Sequence, residues 1–462
     1  MHLPEAFRQR IRGQLGAEAA DFEASLETPA PVSLRIQPAK LPQGLRLPRV
    51  PWCDTGYYLP ERPLFALDPW LHAGVYYVQE ASSMLIGQAL RQHLPAQRPL
   101  LALDLCGAPG GKATLMASML PPGSLLVANE VIQTRTPILT ENLVKWGQPG
   151  VLVSQNDPRD FAALEGLFDV VLTDAPCSGE GLFRKDPHAV QEWTEDQAAH
   201  CAARQRRILA DVWPALKPGG LLIYSTCTFN PAENEDHLHW LTETGGAEWL
   251  RLDLPGAWGI EEVAAGQAAG YRCWPHRVQG EGFFMALCRK PGGSAGSRSK
   301  PDAGRLPLAP RKAVEALPAR LLEPVAYAVL EHQEHLLALP EPSAPLWPVL
   351  QRRLRLRLAG LPLTSGPGRP APELAFSPAL DRSQASLMEF ARLEALRYLK
   401  RESFAAPGPP GWALACYRGQ PMGWAKQLGS RFNNYFPAAW VLRMNLPAAL
   451  PEWTAGDWLS DS

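Results

Sequence analysis

Nowhere does the 462-residue chain carry the ~18–20 consecutive apolar residues of a membrane-spanning helix, so no helical span is expected. Its opening, Met1 to Arg8, lacks the basic-then-apolar layout of a secretory leader, and residues 9–30 are charged and mixed. A cytoplasmic protein is therefore expected. Charge of one sign is also missing: 45 Lys and Arg face 46 Asp and Glu, for a net charge of −1. A global basic excess thus does not announce a nucleic-acid binder, although a local basic face is enough for one. The 8 cysteines are scattered with no C-x-x-C pair. That pattern argues against a disulfide framework or a zinc site, and no metal is expected. No internal repeat is visible, and nothing in the sequence calls for an obligate dimer, so a monomer is expected.

What is present is an ordinary globular composition, 46% hydrophobic and 20% charged. The length exceeds what one compact core usually holds, so two or three domains are expected. Residues 1–92 read as a small α/β module, with a helical pattern from Phe7 and a period-two strand over Val32–Ile36. Residues 93–290 change to alternating strands and helices. Five short apolar runs, at Leu100–Leu105, Ser124–Glu130, Val151–Ser154, Phe168–Asp174 and Gly220–Thr226, have the signature of strands buried on both faces. The fold class expected is α/β, a doubly wound and mostly parallel sheet, in which ligands bind at the carboxyl ends of the strands. Residues 291–310 are rich in Gly, Ser and Pro and read as a linker. Residues 311–462 form a separate C-terminal region with its own apolar segments.

The first run ends in Asp104-Leu105-Cys106-Gly107-Ala108-Pro109-Gly110-Gly111-Lys112. Glycines there let the backbone pass close under a ligand, and the helix that follows offers free N–H groups. A P-loop is excluded, because Cys106 stands where its first glycine belongs and Ala113 where its hydroxyl belongs. A dinucleotide fingerprint is broken at Gly107-Ala108-Pro109. The third option is the S-adenosyl-L-methionine pocket of class I methyltransferases, and its alternative is a purely structural glycine turn with two unrelated strand-end acids. In that pocket Glu130, ending the second strand, would bind the ribose hydroxyls, and Asp157, after the third, the adenine amino group. Lys112 is either a site residue or a helix cap. Arg135 either reaches the cofactor carboxylate or is a surface charge.

Two cysteines follow neighbouring strands, one in Asp174-Ala175-Pro176-Cys177-Ser178-Gly179-Glu180-Gly181 and one in Ser225-Thr226-Cys227-Thr228. Both thiols should face the methyl-donor pocket. The arrangement suits covalent catalysis on a pyrimidine: a thiolate adding at C6 makes C5 nucleophilic, and a carboxyl at Asp174 can meet the charge developing at N3. The residues alone leave open which thiol attacks. Cys106 reads as lining or packing, Cys53, Cys201, Cys273, Cys288 and Cys416 as buried fillers, and His276 as a packed loop residue.

These three motifs together resemble the RNA cytosine-C5 methyltransferases of the Nop2/Sun/RsmB family. Ser33–Ile36, Gln79–Met84 and Gly280–Phe284 resemble family segments too. The resemblance implies that Cys227 is the nucleophile and that Cys177 aids product release. It places cofactor contacts on Cys106, Gly107, Ala108, Pro109, Gly110, Gly111 and Lys112, and on Glu130, Asp157 and Asp174. The layout of short N-terminal module, core and C-terminal extension resembles the RsmF (YebU-like) branch. That implies 16S rRNA, or the 30S subunit, as substrate and a PUA-like RNA-binding region at the C-terminus. tRNA is the rival substrate, and a non-catalytic assembly factor the rival class.

Basic clusters occur at Arg204–Arg207 and Arg352–Arg357. In the second, Arg alternates with Leu. A strand there would present its arginines on one face, for phosphate contact or as a charged sheet edge. The aromatics of Arg431–Pro437 offer stacking partners for splayed bases.

Overall fold

The computed structural model describes residues 3–95, 97–292, 304–451 and 455–458. The linker expected at 291–310 lies mostly outside the described residues.

The N-terminal module opens with the helix Glu5–Leu15, which buries Phe7 and Ile11, one turn apart on one face. Its antiparallel sheet runs in the order Arg49–Val50, Cys53–Leu59, Val32–Ile36, Tyr76–Val78. Arg35, in the middle of that sheet, is wholly buried. It donates to Gln79 Oε1 at 2.9 Å and to Thr114 Oγ1 at 2.6 Å, and its guanidinium lies 4.2 Å from the Trp146 ring. One side chain thereby fastens the module to two helices of the next unit.

The central sheet has ten strands among the described residues. Its parallel heart runs Val151–Ser154, Leu125–Asn129, Leu101–Asp104, Phe168–Asp174, Leu216–Thr226. The apolar runs behave as expected for strands covered on both sides. Ala102, Leu126 and Leu172 pack on one face with Met116 and Leu139 of the helices Gly111–Met119 and Thr136–Trp146. Their neighbours Leu103, Val127 and Val171 pack on the other with Leu209 of the helix Glu195–Val212 and Leu238 of the helix Glu235–Gly245. Antiparallel Phe283–Arg289 joins beside Leu216–Thr226. The order reverses at Leu101–Asp104, which creates a crevice at the carboxyl ends of that strand and its neighbours.

The far edge of the sheet comes from much later in the chain. Leu356–Ala359 pairs antiparallel with Val151–Ser154. This corrects the reading of Arg352–Arg357 as one strand with its arginines aligned. Trp347–Arg353 is a helix with Pro348 in its first turn, and it buries Trp347 and Leu350. Arg352 and Arg353 fall in its last turn, where cations suit the helix dipole. Arg357 alone lies in the strand, its guanidinium donating to Gln155 Oε1 at 2.7 Å.

The last unit holds the sheet Ser386–Glu389, Gly411–Tyr417, Gln420–Gln427, Phe432–Asn434, covered by the helix Arg392–Leu399. Phe432 and Phe436 are buried in its core against Tyr398. They are therefore not free to stack on bases, and the aromatic expectation for this segment narrows to half-buried Tyr435, which has Arg369 over its ring at 4.6 Å.

Candidate active site

The crevice at the strand-order reversal is where the predicted residues converge. The turn after Asp104 is fixed from three sides. Gly107 N–H donates to Asn129 O at 2.7 Å, Arg135 Nη2 to Ala108 O at 2.7 Å, and Asn142 Nδ2 to Pro109 O at 2.8 Å. The Ala108–Pro109 bond is cis. Gly110 has φ of 122°, a conformation side chains disfavour, and it swings the chain into the helix Gly111–Met119. Asn129 was not singled out from sequence. It ties three strand ends together, donating to Leu105 O and Asn156 O and accepting from Ser154 Oγ.

Four acids mark the strand ends. Asp104 is fully buried, and burial together with the nearby Asp174 carboxylate pushes its pKa up to about 8. Neither of its oxygens makes a well-formed hydrogen bond. Glu130 is buried, accepts from Ile132 N–H at 2.9 Å and lies 3.5 Å from Arg135 Nη1. Arg135 thus belongs to the turn and its acid, between the two readings left open for it. Asp157 caps the short helix Pro158–Leu164 by accepting from Arg159 N–H. It lies outside the lining of the cavity that opens beside the glycine turn, as do Glu130, Gly110 and Cys177.

That cavity, of about 370 Å³, is lined by Cys106, Gly107, Ala108, Pro109, Gly111, Lys112, Asp174 and Cys227 among others. Lys112 Nζ donates to Asp174 Oδ2 at 2.8 Å, and Ser225 Oγ to Asp174 Oδ1 at 2.8 Å. Burial works against the charge on Lys112, but Asp174 and the Cys227 sulfur outweigh it and raise the pKa. The Sγ atoms of Cys177 and Cys227 are 3.1 Å apart. The bond to Cys227, and then burial, holds the Cys177 thiol well above its usual range. Cys106 is also held well above its usual range, by burial and then by Asp104, Asp174 and Glu130, which fits lining rather than attack. Cys53, Cys201, Cys273, Cys288 and Cys416 are buried, as expected of fillers.

The rest of the cavity lining was not foreseen. Tyr77 and Gln79 reach it from the N-terminal module, Lys185 from the loop after Cys177, and Glu281 and Phe283 from the Gly280–Phe284 segment. Sequence resemblance had flagged two of these segments, but no residue in them carried a local signal of its role. His276 is packed against Phe22 and bonded to Glu18 at 3.0 Å, as expected of a loop histidine.

Comparison with known proteins agrees with this geometry. The profile of the 16S rRNA methyltransferase RsmB/F family matches residues 92–289. Those of the N-terminal domain of 16S rRNA methyltransferase RsmF and of the methyltransferase RsmF PUA domain match residues 3–81 and 385–442. The chain is 33% identical to the ribosomal RNA small subunit methyltransferase F of Citrobacter koseri, over 95% of this chain and 96% of that one. It is 32% identical to the protein of the same name from Aeromonas hydrophila, over 96% and 98%. A methyltransferase homolog protein from Pyrococcus horikoshii aligns with a TM-score of 0.53 at 28% identity, over 62% of this chain and 95% of that one. NSun6 from the same organism shares the fold, with a TM-score of 0.53 at 20% identity, over 63% and 99%. The cofactor of this class is S-adenosyl-L-methionine, and the crevice fits it: a buried carboxyl without a good partner, a second buried acid and a glycine turn opening a helix suit a cationic, hydroxyl-bearing ligand. With relatives matched over 95% or more of this chain and a class I core with an N-terminal domain and a C-terminal PUA domain, the chain belongs to the RsmB/F family of 16S rRNA methyltransferases, in its RsmF branch.

Proposed function

We propose that this protein methylates C5 of a cytosine in 16S rRNA of the small ribosomal subunit, through a covalent bond between Cys227 and C6 of the base. The observation that carries the reading is the pair of thiols 3.1 Å apart beside the Lys112–Asp174 pair. Addition of the Cys227 thiolate to C6 drives ring electrons toward N3 and makes C5 carbanion-like. Lys112 and Asp174 meet the charge on the N3 side with a proton or a hydrogen bond. S-adenosyl-L-methionine, when bound, supplies the electrophilic methyl. The C5 proton then passes to a base at Cys177, its thiolate or a water that it holds, the C6–S bond breaks, and its electron pair returns to the Cys227 sulfur.

The turn Cys106–Lys112 holds the methionine part of the cofactor, Glu130 the ribose and Asp157 the adenine, with Arg135 buttressing the turn. The target base has to be unstacked to reach a thiol inside a cavity, which favours loops and junctions of folded RNA. In this reading residues 93–290 carry the chemistry, residues 1–92 and 311–462 hold the RNA, and the enzyme works in the cytoplasm. The likeness to relatives named as small-subunit rRNA methyltransferases supports the choice of rRNA over tRNA.

The test is transfer of labelled methyl to small-subunit particles, naked 16S rRNA and a tRNA pool, followed by nucleoside analysis. Label is expected as 5-methylcytidine in a ribosomal sample. Label confined to tRNA overturns the substrate, and label in another nucleoside overturns the chemistry.

A further inference from the structure

The two cysteines lie on separate loops, and each loop sends a carboxylate into the other. Glu180, in the loop after Cys177, is fully buried and accepts from Phe229 N–H at 3.1 Å and Trp193 Nε1 at 3.0 Å, with Arg10 as its ion-pair partner. Glu233, in the loop after Cys227, is equally buried. It accepts from Ser178 N–H at 2.9 Å, from Ser178 Oγ, and from Gln205 Nε2 at 2.9 Å. Gln205 Nε2 also donates to Pro176 O at 3.0 Å, and its Oε1 is bonded to His237 Nε2 at 2.8 Å. Ser178 Oγ lies 3.0 Å from Thr228 Oγ1. The residues immediately before and after Cys177 are thus both tied to the Glu233–Gln205 pair, of which Glu233 belongs to the loop of the other cysteine and Gln205 to the helix Glu195–Val212.

A carboxylate without a cation beside it is costly to bury, and one this enclosed persists when several donors converge on it. Here all three donors come from the Cys177 loop or from the glutamine that holds it. Glu233 hydrogen-bonds to Ser178 and Gln205 and not to either sulfur, so it acts on Cys177 through the backbone on which that residue is mounted, and its charge adds to what holds the thiol up.

We propose that Glu233 is a positioning residue that sets Cys177 against Cys227 and thereby governs release of the methylated product. The proposal rests on the reading of Cys177 as the residue that aids release. A displacement of about 1 Å at a reacting group costs on the order of 10²-fold in rate.

The test uses the full chain with 16S rRNA and measures adduct formation and product release separately in single turnovers, with the adduct read on denaturing gels. Glu233→Ala is expected to slow release on the order of 10²-fold and accumulate adduct, with formation and cofactor affinity held within about threefold. Glu233→Gln is expected to restore most of the release rate, because its amide oxygen still accepts and the Ser178 hydroxyl can turn to accept from the amide nitrogen. Loss of formation and release together, or no accumulation where Cys177→Ala does accumulate adduct, overturns the proposal. If Glu233→Ala does not fold, Gln205→Ala is read in its place by the same two rates. If Cys177→Ala itself traps nothing, the reading of Cys177 fails and the proposal falls with it.

Discussion

Cys177 and Cys227 bring their sulfurs within 3.1 Å of each other across a sequence separation of 50 residues. Parallel pairing of Phe168–Asp174 with Leu216–Thr226 does this, since Asp174 sits opposite Ser225 and the two chains leave the sheet side by side. The two thiols are expected to fail differently. Cys227→Ala should abolish methyl transfer and adduct alike while cofactor binding, read by calorimetry, survives. Cys177→Ala should leave an RNA–protein adduct that resists denaturing gels. Normal turnover by either variant removes that residue from the mechanism.

Lys112 and Asp174 form a charged pair in the wall of the cavity at 2.8 Å. Lys112→Met and Asp174→Asn should each lower single-turnover methylation by roughly 10²–10³, the usual cost of losing one preorganised partner of a developing charge. The double variant should cost little more than either single one, because the two act as a unit. Additive losses would mean that they serve separate steps.

Asp104 gives the free protein a pH signature. Folded, it keeps its proton up to about 8, whereas an unfolded aspartate gives it up near about 3.9. Between those values the folded state binds more protons than the unfolded one, so stability falls as pH rises through the window. Asp104→Asn removes this contribution. Urea melts without cofactor at pH 5 and pH 8 should therefore differ less in the variant than in the parent. An equal difference in both assigns the slope to other groups.

At Gly181 the two cysteine loops meet backbone to backbone. Its N–H donates to Cys227 O at 2.7 Å, and a Cβ placed on it would lie 2.6 Å from Gly282 O and 2.7 Å from Cys227 O. Both obstacles are backbone and have no rotamer to change. Gly181→Ala should destabilise the protein by about 1–3 kcal/mol and slow methylation by more than cofactor binding weakens. A melting temperature within a degree of the parent would show that the loops part easily.

The heart of the sheet was readable in sequence because strands covered on both faces are forced to be apolar throughout. Leu101–Asp104 and Leu125–Asn129 carry that signal within a few residues. The glycine turn was readable because its backbone constrains residue type. What escaped depends on partners far away. Arg35 looks like any strand arginine until Gln79, Thr114 and Trp146 are placed around it. Glu233 looks like any surface glutamate in a polar stretch, yet it is fully buried. Arg352 and Arg353 were misplaced because alternation with leucine over six residues fits a strand, while the burial of Trp347 and Leu350 that selects a helix lies just upstream.

The outermost strand of the central sheet, Leu356–Ala359, bears on how the chain is made. Its partner Val151–Ser154 is synthesised about two hundred residues earlier. At roughly 5–20 residues per second, that edge waits on the order of 10–40 s for its cover during translation. Throughout that interval it presents unpaired backbone groups to other nascent chains, the configuration most prone to unwanted strand pairing. A protein cut short after the catalytic segment keeps the hazard permanently, so the C-terminal region guards solubility at birth whatever it later does with RNA.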